Sequence, residues 1–486
     1  MAVGRRVRCR RTVGCRGTVR GLLAATSFVV AALAGAAPGT ASELPASVTG
    51  ALHAAGIPPA HAAFAVVPLD GGALRVAVNA TQPMNPASTM KLVTTYVALQ
   101  ALGPAYTWHT DVLAASPLAE GVLDGPLWLR GSGDPSLVIE RFWLLVQRLR
   151  ALGVRELRGD LVLDKSAYGA DVAVAPTLDG ADQRPYNVAP DPLLVNYKAL
   201  TYSWIPDPEA RVARVVASPM LAGVHLPEPV RLVDGPCGDW RARLQADFTD
   251  PLVPVLRGAY PLSCGEQSWN FSVYGATDYA GAAFRSLWES SGGAWSGVAR
   301  DGVVAPAARL LFSVESPPLS EVIREINKFS NNAMARQLFL TLGAEGERAP
   351  ATLERSARVL RTWLFGHGLA MPELELENGS GLSRVERISA ESMARLLVQA
   401  WHGPLMPEFA ASLPLAGVDG TMKKRPAAAG SAHVKTGLLA DARALAGYVR
   451  TETGRDYVVV AFVNDANAGA TQAALDALLQ WVHDHG

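Results

Sequence analysis

The sequence predicts an α/β (α+β) fold: one antiparallel sheet flanked by helices and interrupted by a long insertion. Three observations carry that expectation. Short apolar strands occur near both ends of the chain, strongly helical stretches lie between them, and the block from 108 to 275 has a texture of its own. At 486 residues the chain exceeds the size at which a single core stops growing, about 250–300 residues. Apolar residues at 49% and charged residues at 18% describe a folded globular protein rather than a disordered or fibrous one.

Taken in order, the first segment is not part of the fold. Seven arginines, from Arg5 to Arg20, precede the apolar run "GLLAATSFVVAALAGAA" and the small residues Gly39 and Ala41. A basic head, a short apolar segment and a small-residue cleavage site make a secretory signal peptide, residues 1–41. A membrane anchor is the weaker reading, because the run is short and rich in Ala and Gly. Cys9 and Cys15 precede the apolar run, so neither suits a lipoprotein cleavage site. Cleavage after Ala41 would remove 7 arginines and no acids, leaving 37 basic against 44 acidic side chains, or −7. A basic nucleic-acid surface is therefore not expected.

Residues 63–79, "AFAVVPLDGGALRVAVN", read as two strands around the turn Asp70-Gly71-Gly72. Near the other end, "SAHVKTGLL", "ARALAGYVRT" and "RDYVVVAFVND" are short strands separated by polar breaks. Leu475, Leu478, Leu479 and Val482 then follow at the spacing of a helix that lays one stripe on a core. Both chain ends can thus share one antiparallel sheet. Between them, a helix runs from Leu92 to Leu102 and stops at Gly103-Pro104. "PLSEVIREI" places Leu319, Val322, Ile323 and Ile326 on one face. A third helix carries Met334, Leu338 and Leu342 into Gly343, the expected C-terminal cap. "NKFSNN" joins the last two, and short connections of this kind often carry function.

The middle block is richer in Pro and Gly. It has strand-like pieces such as "GPLWLRG", "LRGDLVLD" and "ARVVAS", and one clear helix around "VIERFWLLVQRLRALG". The block 108–275 is either an inserted domain or a long elaboration of the main one, which 42–107 and 276–486 would form. No repeat of fixed period appears.

After the leader only Cys237 and Cys264 remain, 27 positions apart. Export supplies an oxidising compartment, which favours a disulfide over two free buried thiols. No CxxC or HExxH accompanies them, so no metal site is expected. No cofactor is expected either.

The chemistry begins with "PASTMKLVTTYVAL", residues 86–99, where Ser88 and Lys91 stand three apart at a helix start. Serine there is ordinarily a cap for a free backbone N–H. A chance SxxK is expected on the order of once in a chain this long. Residues three apart on a helix do lie one above the other, so Lys91 can aim its amine at the Ser88 hydroxyl. A lysine kept neutral by burial can take the proton of a serine, a weak nucleophile unaided. Backbone N–H groups at a helix start could serve the oxyanion. Two further elements follow in order: Ser330-Asn331-Asn332 in the inter-helix connection, and Lys435-Thr436-Gly437 on an expected strand. SxxK, SxN and KTG together are the three-part signature of the penicillin-recognising serine enzymes.

With these motifs in place, the chain resembles the D-alanyl-D-alanine carboxypeptidase/endopeptidases, class C low-molecular-mass penicillin-binding proteins. "GSGDPSL" (131–137), "DYAGAAFRSLWESSG" (278–292), "NGSGLSR" (378–384), "AGVDGTMKKR" (416–425) and "HVKTGLL…ALAGYV" (433–449) are all similar to that family's segments. The resemblance covers nearly all of the chain after the leader. It implies a penicillin-binding-protein/β-lactamase-like transpeptidase fold, with two additional domains inserted between SxxK and SxN. It implies Ser88 as nucleophile, Lys91 as base, and Ser330 and Asn332 assisting. Lys435, Thr436 and Gly437 would engage substrate, and the N–H groups of Ser88 and Leu438 would form the oxyanion hole. The Cys237–Cys264 pair would staple the insertion. One departure stands out: the family commonly has Thr or Ser after KTG, and here Leu438 lacks that hydroxyl.

The expected activity is a serine DD-peptidase that cleaves D-Ala-D-Ala termini and D-amino-acid cross-links of peptidoglycan stem peptides through an acyl-enzyme on Ser88. Its partners would be those peptides and, as covalent inhibitors, β-lactam antibiotics, and its location the periplasm after secretion across the cytoplasmic membrane. Two rival readings are a β-lactamase and a non-catalytic peptidoglycan-binding relative. No GxSxG supports an ordinary hydrolase, and His433 reads as a strand residue rather than a base. The chain shows no basic amphipathic tail, so no firm membrane anchor is expected; a homodimer stays open.

Overall fold

The computed structural model describes residues 43–486 apart from 73, 174–179, 181–182 and 349. The leader, with Cys9 and Cys15, lies outside the described residues. A five-stranded antiparallel sheet is built from both ends of the chain, in the order Ala432–Leu438, Ala442–Arg450, Asp456–Asn464, Ala62–Pro68, Val76–Val78. The N-terminal hairpin pairs Phe64 with Val78, and its first strand pairs Ala62 with Val463, so the ends of the chain meet in register. The strand Asp456–Asn464 is buried almost throughout, because helices cover both faces of the sheet. On one face Ala46–Ala54 and Gln472–His485 pack over Val459, Ala461 and Val463. On the other, Val458, Val460 and Phe462 join a larger core with Met90–Leu102, Leu319–Phe329, Asn332–Glu347, Leu353–Gly366 and Ala390–His402.

The alternation of Val458–Val463 between these two cores follows the two-residue period of a strand. Met90–Leu102 behaves differently: Met90 through Leu99 are all buried. A helix buried on every side runs through the core rather than along it, and its polar members Lys91, Thr94 and Thr95 are buried with the rest. It delivers Ser88 and Lys91 from its N-terminal end.

Gly343 is not a helix cap. The helix continues to Glu347, and Gly343 is where Leu353–Gly366 crosses it: a methyl group there would overlap the Ser356 side chain. The glycine marks a close approach of two helices rather than a stop.

Among the described residues the insertion contains three sheets, the smallest of them Ala294–Trp295, Glu156–Leu157 and Val122–Leu123. A mixed five-stranded sheet, ordered Ala299–Asp301, Leu161–Asp164, Leu127–Gly131, His109–Ala114, Arg309–Glu315, uses the helix Ile139–Ala151 as a parallel crossover. Nested inside it in sequence is a six-stranded sheet, from Leu200–Asp207 to Gln267–Phe271, with Trp204, Trp240, Tyr260 and Trp269 clustered on its core. Cys237 and Cys264 lie in this nested part, their Cα atoms 4.7 Å apart and their sulfurs in bonding position. The helix Ala276–Ser290 places Tyr279, Phe284 and Trp288 in the insertion's core, and 299–301 and 309–315 complete its sheet. The chain thus rejoins the helical core only after Arg309–Glu315, later than the division at 275 drawn from composition. The reason is physical: 276–290 is amphipathic like any surface helix, and periodicity alone does not say which core its stripe meets.

Candidate active site

Ser88 lies in a single 3₁₀ turn, Ala87–Thr89, ahead of the buried helix. Its hydroxyl caps no backbone N–H, contrary to the ordinary role of such a serine. It stands 3.1 Å from the Lys91 amine instead. Ala87, just before it, holds a left-handed backbone with φ of 45°, a conformation that costs a residue with a Cβ about 1 kcal/mol. Such strain gathers where a side chain must be aimed.

The Lys91 amine is fully buried. It contacts the Asn332 Oδ1 at 2.6 Å and the Ser380 carbonyl at 2.5 Å, besides Ser88. Burial holds it well below the usual lysine range, helped by the positive charges of Lys435 and Arg336 and opposed by Glu386. A neutral amine has two protons to donate and one lone pair. Two of its three partners are carbonyl oxygens, which only accept. The lone pair is therefore left for the Ser88 hydroxyl, the arrangement of a base about to receive a proton.

Ser330 and Asn332 are set side by side by a tight turn. Ser330 ends the helix Leu319–Phe329 in a left-handed conformation, φ 58°. Asn331 then opens the next helix, its side-chain oxygen accepting the Met334 N–H at 3.1 Å. The two motif residues reach different lysines: Asn332 meets Lys91, while the Ser330 hydroxyl accepts from the Lys435 amine at 2.9 Å. Asn332 also donates to the Tyr186 carbonyl at 3.4 Å, which brings the insertion to the site.

Lys435, Thr436, Gly437 and Leu438 run along the outer edge of the five-stranded sheet. The Leu439 N–H donates to the Ala442 carbonyl. In an antiparallel ladder only alternate residues bond to the neighbour. By that register Gly437 and Lys435 face their partner strand, and the backbone groups of Thr436 and Leu438 face outward. Val434 shows the same phase, its N–H turned away to the Pro414 carbonyl. At Gly437 a methyl group would come within 2.8 Å of the Pro86 carbonyl and 2.9 Å of the Ala87 Cβ, so strand and serine turn touch backbone to backbone. The Lys435 amine is buried, which brings its pKa down to about 7. The Thr436 hydroxyl meets that of Thr421 at 2.9 Å, in the segment fixed by the Lys328–Asp419 ion pair.

Sequence reasoning named the segment 378–384 but gave its residues no part in the site. Its carbonyl at Ser380 is one of the Lys91 partners, and Glu386 holds it in shape. The buried Glu386 carboxylate accepts N–H bonds from Glu377, Asn378, Gly379 and Gly381, at 2.8 to 3.2 Å. Burial pushes its carboxyl up and backbone N–H donors pull it back. Gly381, with φ 79°, lies where a methyl group would strike the Ala87 carbonyl. The run Gly379-Ser380-Gly381 was the available signal for a tight loop; nothing in the sequence marked Glu386. Arg336 was also missed: it is buried close enough to act on Lys91, and donates to the Val188 carbonyl at 3.2 Å.

Ser88, Ser330, Asn332, Thr436, Gly437 and Leu438 line one cavity of about 750 Å³. The three motifs thus converge from positions up to 349 residues apart along the chain, while Cys237 and Cys264 belong to the nested part of the insertion.

A sheet flanked by helices, with SxxK, SxN and KTG meeting in one cavity, defines the serine enzymes that recognise penicillins. The comparisons agree. The model of the D-Ala-D-Ala carboxypeptidase 3 (S13) family matches residues 44–484. A D-alanyl-D-alanine carboxypeptidase of Actinomadura sp. (strain R39) is 30% identical over 421 residues, 81% of this chain and 76% of the relative. The D-alanyl-D-alanine carboxypeptidase DacB of Haemophilus influenzae is 23% identical over 396 residues, 80% of this chain and 82% of the relative. The crystal structure of penicillin binding protein 4 (dacB) from that organism superimposes with a TM-score of 0.73 at 22% identity, covering 90% of this chain and 98% of its own; a second structure of it holds a β-lactam. The chain belongs to the D-Ala-D-Ala carboxypeptidase 3 (S13) family and is a serine-type DD-peptidase.

Proposed function

We propose that Ser88 is the nucleophile of this DD-peptidase and attacks the carbonyl of the penultimate D-Ala of a peptidoglycan stem peptide, or of a D-amino-acid cross-link. The observation that carries this reading is the buried Lys91 amine, 3.1 Å from the Ser88 hydroxyl and otherwise held by two carbonyl oxygens. Lys91 takes the Ser88 proton as the new C–O bond forms. The oxyanion then draws on the N–H groups of Ser88 and Leu438, the second facing outward from the sheet edge. Ser330, between Lys435 and the cavity, is placed to pass a proton to the departing amine, and Asn332 keeps Lys91 oriented. Lys435 and Thr436 meet the substrate's free carboxylate, and substrate backbone can pair with the open edge at Thr436 and Leu438. Water then releases the acyl group from Ser88. No metal or organic cofactor is invoked in any step.

β-Lactams would acylate the same serine, as suits a relative that has been solved with one bound. The leader at 1–41 would place the enzyme outside the cytoplasmic membrane, in the periplasm. There Cys237 and Cys264 would be joined. Among the described residues no helix is long and apolar enough to cross a membrane. We read the catalytic domain as 42–108 with 316–486 and the insertion as 109–315, following the sheets.

Intact-mass measurement after benzylpenicillin treatment tests the reading. Wild type should gain one adduct that persists, and Ser88→Ala should gain none. An unlabelled wild type would sink the enzymatic assignment of Ser88, and an adduct that vanishes within seconds would convert it to a β-lactamase.

A further inference from the structure

Leu438 stands where the family resemblance calls for a hydroxyl, and it is 59% exposed at the cavity. Its register partner across the sheet is Arg443. Because 439 and 442 form a hydrogen-bonded pair, 438 and 443 form a non-bonded one, in which the two side chains emerge on the same face at closest approach. Thr436 shares that face, one diagonal step from Arg443, within reach of a long side chain. Arg443 lines the same cavity.

The state of Arg443 separates it from the cavity's other arginines. Arg425 is paired with Asp476, and Arg384 lies 3.4 Å from Asp441. Among the described residues no carboxylate lies within ion-pair distance of Arg443. One terminal nitrogen donates to the Gly469 carbonyl at 3.3 Å, and its buried Nε has no partner. A guanidinium carries five N–H donors in a fixed fork suited to a carboxylate. A half-buried one left without an anion, at the rim of a site that must hold an anion, is an incomplete interaction.

We propose that Arg443 is a specificity-determining residue that binds the free carboxylate of the leaving D-amino acid together with Thr436, in place of the hydroxyl that Leu438 does not supply. The ring carboxylate of a penicillin, held at the same distance from the reactive carbonyl, would take the same contact. This rests on Ser88 being the nucleophile. The guanidinium acts only by binding, so no proton or electron is transferred through it.

The test compares two stem peptides ending in D-Ala-D-Ala, one with a free C-terminal carboxylate and one with a C-terminal carboxamide. The readout is the ratio of their kcat/KM values on full-length wild type, Arg443→Gln, Arg443→Lys and the double variant Arg443→Gln with Leu438→Thr. A charge-assisted hydrogen bond predicts that Arg443→Gln lowers the acid-to-amide ratio by about 10- to 100-fold. Arg443→Lys should keep part of the preference, and the hydroxyl introduced by Leu438→Thr should restore part of it in the double variant. An unchanged ratio in Arg443→Gln overturns the proposal while leaving Ser88 as nucleophile intact. Failure of wild type to cleave either peptide or to be acylated by penicillin would instead overturn the reading beneath it. Should Arg443→Gln not fold, Leu438→Thr alone decides: a site that Arg443 already serves gains less than about threefold in the ratio, and a gain of about tenfold shows the carboxylate was unserved.

Discussion

Under the proposed assignment two lysines of one site hold opposite tasks, and both depend on burial. Lys91 must be neutral to accept a proton, and burial with two cationic neighbours keeps it well below its usual range. Lys435 must be charged to hold a carboxylate, yet burial brings it to about 7. The signs follow directly: acylation gains as pH rises through the lowered Lys91 value and loses as Lys435 gives up its charge above about 7. A pH profile of kcat/KM on a free-acid peptide should therefore fall on its alkaline side near about 7, and on the carboxamide peptide that fall should weaken. Replacing Lys91 by Met removes the base and should slow penicillin acylation by about 10²- to 10⁴-fold, read from adduct formation over time. At this scale the sequence was most legible: Ser88, Lys91, Ser330, Asn332 and Lys435 were all marked by motif, and the structure brings them together. It was least legible at Glu386 and Arg336, because each acts through backbone groups or at a distance that no short motif encodes.

The elements around the site are held by close approaches rather than by large contacts. The loop 377–381 hangs on one carboxylate, and Glu386→Gln would set an amide NH₂ against backbone N–H groups that need an acceptor. A loss of about 1–3 kcal/mol in chemical denaturation is expected, with slower acylation because the Ser380 carbonyl shifts from Lys91. At Gly343 the two crossing helices leave no room for a side chain. Gly343→Val should cost about 1–3 kcal/mol by overpacking and lower the thermal midpoint. Strands and helices were readable wherever an apolar period ran uninterrupted, as in 456–464 and 319–329. Gly343 misled because glycine is used both to end helices and to let them touch, and sequence does not separate the two.

Across the whole molecule, the insertion is structurally coupled to the site. Asn332, Arg336 and Gln337, on one helix, all donate to backbone carbonyls of the insertion, at Tyr186, Val188 and Asp191. Cys237 and Cys264, 27 positions apart, lie with their sulfurs in bonding position in the nested part, and the proposed disulfide would close that loop. Replacing both, Cys237→Ser with Cys264→Ser, should destabilise that region by about 2–4 kcal/mol, visible as an early thermal transition, while penicillin still labels Ser88 at low temperature. The discontinuous plan was visible in the sequence, since both ends carried strands of one type. The return point was not, because the helix at 276–290 would suit either core.

The pairing of Ala62 with Val463 also joins the early part of the chain, which carries Ser88, to the late part, which carries Lys435. Ser88 comes early in the chain and the KTG strand nearly last, and the partners of the Lys91 amine other than Ser88, at Asn332 and Ser380, both lie beyond residue 330. Closure between segments so far apart in sequence is a slow step of folding. If Ser88 is the nucleophile as proposed, it gains its base only once these distant segments have closed, and activity arrives with the completed fold.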